Sequence, residues 1–92
     1  MKNFFYHAKT SPRVTISAEI TKDVMCFSAA RCDKKDQFNK KTGRQIALGR
    51  LQKNKCIRTL SIPNSADVNK LFLTEAILLV EHVQRNKNFL VN

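Results

Sequence analysis

Between residues 13 and 20 the chain alternates strictly: Val14, Ile16, Ala18 and Ile20 fall on one side, Thr15, Ser17 and Glu19 on the other. A period of two is the pattern of a half-buried strand, with its apolar side toward the core. Thr21-Lys22-Asp23 breaks the run. The alternation resumes over residues 24–31, with Met25, Phe27 and Ala29 opposed to Val24, Cys26, Ser28 and Ala30. Two such strands with a short polar connection predict an antiparallel hairpin. Upstream, Phe4, Phe5 and Tyr6 allow an additional N-terminal edge strand that Ser11-Pro12 would terminate. The period then lengthens. Asp33 is placed to cap a helix, with Asp36 in its first turn. Phe38, Thr42, Ile46 and Leu51, joined by Gly43 and Ala47, form its inward face, while Lys34, Gln37, Lys41, Arg44 and Leu48 share another. Gly43 and Gly49 each cost about 1 kcal/mol inside a helix, so Gly49 marks a candidate kink or end.

Residues 56–62 (CIRTLSI) are rich in strand formers and stop at Pro63. Asn64 or Ser65 is positioned to cap a second helix, with Asp67 making a capping-box-like contact. In that helix Val68, Leu71, Phe72, Ala76, Leu79, Val80 and Val83 keep i, i+3, i+4 spacing. Leu73, Ile77 and Leu78 widen the stripe. They are expected to be buried against the domain's own sheet, the alternative being contact with a partner. Residues 88–91 would add at most a short further strand. The order β-β-α-β-α, with the N-terminal edge strand in addition, predicts an α+β fold: a small antiparallel sheet packed by two helices, in a single domain spanning 1–92.

Charge changes this picture. The chain of 92 residues carries 17 Lys and Arg against 7 Asp and Glu, a net charge of +10. Residues 32–58 hold nine of the basic residues and two of the acidic ones, a net +7; residues 59–92 are neutral. A cluster of this kind implies a polyanionic or acidic partner, set against the plain alternative of a solvated helix face. Lys34, Lys35, Lys40, Lys41, Arg44, Arg50 and Lys53 are the candidate contacts to nucleic-acid phosphates or to an acidic protein surface. Such contacts give affinity without reading sequence. Few aromatics interleave with them, which disfavours base stacking.

Enzyme chemistry finds little support. There is no Gly-rich phosphate loop and no suitable carboxylate pair, and His7 and His82 lie far in sequence from each other and from Cys26, Cys32 and Cys56, so no zinc set forms. Cys32 among lysines at a helix start is a candidate thiolate, but it lacks a base. No enzyme activity, cofactor or metal is therefore expected. Three unpaired cysteines and the lack of a signal-peptide pattern point to a reducing cytoplasm. The longest apolar run, residues 76–80, is too short to span a bilayer, so no membrane partner is expected.

Over residues 32–51 the chain reads Cys-x3-Asp-x-Phe and then Gly-Arg-x-Ile-Ala-x-Gly-Arg-Leu. This stretch resembles small proteins of phages and mobile elements. It is most similar to the anti-CRISPR proteins of type I-F, in particular the eighth family described. The resemblance implies a non-catalytic inhibitor acting in the host bacterial cytoplasm. Such a protein would dock on the Cas subunits and guide RNA of a Cascade- or Csy-type surveillance complex and keep target DNA from hybridising to the guide. At +10 this chain is not an acidic DNA mimic and would have to bind beside or onto RNA. The competing expectation is a free-standing DNA- or RNA-binding phage regulator. Oligomeric state is left open by the sequence.

Overall fold

A computed structural model describes residues 2–10, 13–31, 40–53, 56–64 and 67–85, with Lys2 by its backbone alone. Its elements are β1 (Lys2–His7), β2 (Val14–Thr21), β3 (Val24–Arg31), α1 (Lys40–Gln52), β4 (Arg58–Ser61) and α2 (Val68–Gln84). The four strands form one antiparallel sheet in the order β1-β2-β3-β4. The α+β fold read from the sequence is the fold observed, and the extra N-terminal strand is real: Phe4 stands opposite Ala18 and Tyr6 opposite Ile16. The β2–β3 hairpin closes through Lys22-Asp23, between the paired Thr21 and Val24. Lys22 takes a left-handed φ of 57°, an unusual conformation for a residue with a Cβ. Asp23 then accepts a bond from the Ile62 amide, which ties the turn to the end of β4.

Directly opposed residues of an antiparallel pair share a face. One face therefore carries Phe4, Tyr6, Val14, Ile16, Ala18, Met25, Phe27, Ala29 and Leu60. α2 lies on it and contributes Phe72, Ala76, Leu79 and Val83 to the core. Phe72 stacks on Phe4 at 5.2 Å and on Phe27 at 5.9 Å between ring centroids, joining β1, β3 and α2. Asp67, rather than Asn64 or Ser65, caps α2: its carboxylate accepts from the amides of Asn69 and Lys70. An aspartate reaching the N2 and N3 amides satisfies donors that a helix start leaves open. Asn64 lies in the turn before it, and Ser65 is outside the described residues.

The other face overturns the expectation of half-buried strands. Thr15, Ser17 and Ser28 are fully buried there, because α1 covers them. Small side chains allow the helix to come close. Ser28 Oγ donates to the carbonyl of Ala47, and Gly43 sits over Thr15. The helix lays Gly43, Ala47 and Leu51 on the sheet at steps of four, and Ile46 is half-buried beside them. Thr42, expected inward, is exposed; Phe38 and the Asp33 cap lie outside the described residues. α1 continues through Gly49 to Gln52, so Gly49 neither ends nor interrupts it. The sheet is thus a middle layer with one helix on each side.

A Cβ at Gly43 would come within 2.2 Å of Thr15 Oγ1 and 3.1 Å of Thr15 Cβ. Gly43→Ala is accordingly expected to destabilise the protein by about 1–3 kcal/mol from overpacking, although alanine gains about 1 kcal/mol in a helix. Urea unfolding measures this, and the cost should shrink when Thr15 is also replaced by alanine. Gly49, with open space around its Cα, is the control: Gly49→Ala should stabilise.

Candidate nucleic-acid interface

β1 and β2 run antiparallel, so the end of β1 meets the start of β2. There His7 stands opposite Thr15, and its Nδ1 lies 2.9 Å from Thr15 Oγ1. Arg13, just before β2, donates to the Ala8 carbonyl across the same connection. The first turns of α1 come down on this corner and bring Lys40 and Arg44 into electrostatic reach of His7. Partial burial foremost, and then the cations Lys40, Arg44 and Arg13, hold the His7 imidazole below its usual 6.5. At the same end of the sheet Arg31 pairs with Val14 in the β2–β3 ladder. Its Nε and Nη1 are buried and meet no hydrogen-bond partner among the described residues. A buried donor without an acceptor is costly. Arg31, opposite Val14, belongs to the face under α2, so an anion at the His7 corner would relieve the crowding of positive charge there but not these donors.

The structure sorts the seven residues singled out from the sequence into four groups. Lys40, Lys41 and Arg44 are exposed and grouped at the start of α1. Lys53 is exposed but thirteen residues further on, about 20 Å along a helix axis. Arg50 does not join that exposed group: it turns inward, is half-buried and donates from Nη1 to the Ala29 carbonyl of β3, while burial lowers its pKa. The i+3 and i+7 steps from Gly43 explain this, since they carry residue 50 round to the sheet side. Lys34 and Lys35 lie outside the described residues, as do Gln37 and Cys32. Sequence reasoning did not place His7 and Arg13 at this corner. A clue to the first was available in the alternation of β1, which puts His7 on the same side as Phe5.

The ion pairs among the described residues, Arg58–Glu75 and Arg85–Glu81, are both made with carboxylates of α2. Neither engages Lys40 or Arg44. Elsewhere the chemistry is quiet. Cys26 is half-buried and Cys56 exposed at its surface. Burial around the sulfur, the hydrogen-bonded Cys26 thiol and the Glu19 carboxylate push the Cys56 thiol up to about 11. Cys56 is therefore a protonated thiol at neutral pH, the opposite of an activated nucleophile. No group of three His, Cys, Asp or Glu with the geometry of a metal site occurs among the described residues. Nor is any helix among them long and apolar enough to cross a membrane.

The depressed His7 gives a test of this geometry. Followed by NMR, its imidazole should titrate below 6.5, and neutralising Lys40 and Arg44 to Gln should move the midpoint partway back up. A histidine that resists protonation when folded is protonated more readily in the unfolded chain. Its contribution to stability is thus present above the ordinary histidine range and lost as the pH falls through it. A bound phosphate should do the reverse and raise the His7 pKa, so that anion binding takes up a proton and strengthens toward acid pH.

Comparison of the chain with models of protein families, with curated proteins and with solved structures finds no match.

Proposed function

We propose that this protein is a non-enzymatic inhibitor of an RNA-guided CRISPR surveillance complex, of the kind phages encode, acting in the bacterial cytoplasm. The observation that carries the reading is the cationic corner. Lys40 and Arg44 of α1 gather beside His7 and Arg13. Charge of one sign collected on one side of a domain favours a polyphosphate over a small neutral ligand. The resemblance read in residues 32–51 to type I-F anti-CRISPR proteins would make that polyphosphate guide RNA held among Cas subunits. In this role Lys40, Lys41 and Arg44, with Lys34 and Lys35 preceding them in the chain, grip backbone phosphates. The body of the domain then occupies the space where target DNA would pair with the guide. No bond is made or broken by the protein, consistent with a thiol kept protonated at Cys56.

The test is capture of a purified type I-F surveillance complex by tagged protein at physiological salt, beside gel shifts with naked duplex DNA and RNA. Stable capture with loss of target-DNA binding, and only weak shifts, supports the inhibitor. Strong shifts without capture overturn it in favour of a free-standing nucleic-acid-binding regulator. That protein would be recognised by a steep, log-linear loss of affinity with salt.

A further inference from the structure

α2 is apolar on two sides, and the sheet accounts for one of them. The inward stripe of Phe72, Ala76, Leu79 and Val83 is buried. Leu73, Ile77 and Leu78, expected from the sequence to be buried too, are instead 46%, 51% and 62% exposed. With Thr74 between them they form a second stripe at i, i+1, i+4, i+5, turned away from the sheet. One turn before it stands Lys70, and one turn after it Glu81, both exposed. The outward sequence of α2 is therefore Lys70, Leu73-Thr74, Ile77-Leu78, Glu81, at steps of i, i+3, i+4, i+7, i+8 and i+11.

That series is self-complementary. If two copies of α2 cross antiparallel about a two-fold axis midway between residues 75 and 76, Leu73 meets Leu78 of the other copy and Thr74 meets Ile77. Lys70 meets Glu81 at both ends. Any closed pair of identical subunits requires a patch that matches itself in this way. A face made for an unrelated partner has no reason to carry opposite charges at equal distances from one centre. The location fits as well. A chain of net +10 opposes its own association, but residues 59–92 are neutral, and α2 lies across the sheet from basic α1. In the pair, the two α1 helices would stand five layer spacings apart, about 50 Å at about 10 Å per layer. That is several screening lengths at physiological salt.

We infer that the outward face of α2 is a homodimer interface, in which the Leu73, Ile77 and Leu78 stripes of two chains pack antiparallel and Lys70 pairs with Glu81 of the second copy. A seam of three turns buries on the order of 1,000 Å² in total, near the lower limit for a specific interface, so the dimer is reversible and of micromolar strength. The inference does not depend on what the cationic corner binds.

Sedimentation equilibrium of the full chain across micromolar to sub-millimolar concentrations tests it. The wild type should pass from monomer to dimer. Lys70→Glu alone and Glu81→Lys alone each place like charges at both ends of the seam and should weaken dimerisation about tenfold. An equimolar mixture of the two variants restores opposite charges at both ends and should recover wild-type association as a heterodimer. Circular dichroism confirms that the variants are folded, and Glu81→Gln controls for the loss of the Arg85–Glu81 pair. A wild type that stays monomeric throughout overturns the inference, as does a dimer indifferent to both reversals or a mixture that fails to recover.

Discussion

Replacing Lys40, Lys41 and Arg44 together by Glu should lower affinity for the surveillance complex, or for any RNA the protein holds, by at least about a hundredfold at moderate salt. All three side chains are exposed at the start of α1, so the variant should fold as the wild type does. Each lost phosphate contact removes about one unit from the slope of log affinity against log salt, and the triple variant should lose about three. Lys53→Glu changes the net charge in the same direction but lies about 20 Å down the helix. It should cost no more than a few-fold. The comparison separates a localised site from a general effect of charge: equal losses per charge in the two variants would leave no role for the corner, and an unaffected triple variant would remove α1 from the interface altogether.

Phe72→Ala is expected to destabilise the domain by about 3–5 kcal/mol. The ring is 95% buried and stacks on both Phe4 and Phe27, so its removal empties the place where β1, β3 and α2 meet. Aromatic pairs add about 0.5–1.5 kcal/mol beyond burial. A domain of this size has about 5–10 kcal/mol in hand, and the variant should be partly unfolded at body temperature. Urea unfolding should show a large fall in midpoint with the slope unchanged. Leu78→Ala, one and a half turns along the same helix, should change monomer stability by under about 0.5 kcal/mol. The contrast between two large apolar residues of one helix measures how strictly α2 divides its two sides.

The strands and both helices were legible because their periods are clean. Val14 to Ile20 and Met25 to Ala29 alternate without a fault, and Val68 to Val83 returns at helical steps. Two things were hidden. Thr15, Ser17 and Ser28 read as water-facing because they are polar. In this fold their small size matters more, since it lets Gly43 and Ala47 of α1 lie directly on the sheet. Leu73, Ile77 and Leu78 read as core because they are apolar, and periodicity alone does not say how many sides of a helix the rest of a small domain is able to cover. The candidate site was half legible. Charge density drew attention to Lys40, Lys41 and Arg44, which are exposed in the first turns of α1. But a count of basic residues does not reveal that Arg50 points into the protein, or that β1 and β2 deliver His7 and Arg13 to the same corner.

Arg50 has one more effect, on what the sheet does not do. β4 pairs with β3 from Val24 to Phe27, and beyond the Ile57 amide bound to the Phe27 carbonyl the rim of β3 runs on without a neighbouring strand among the described residues. Such a rim is a template onto which a strand of another molecule can zip. The guanidinium on the Ala29 carbonyl occupies the next position that an incoming strand would need, and it puts a charge there. The arginine that looked like bait for a partner is in this respect a guard against the wrong kind of company, keeping the chain from aggregating through its own β-structure.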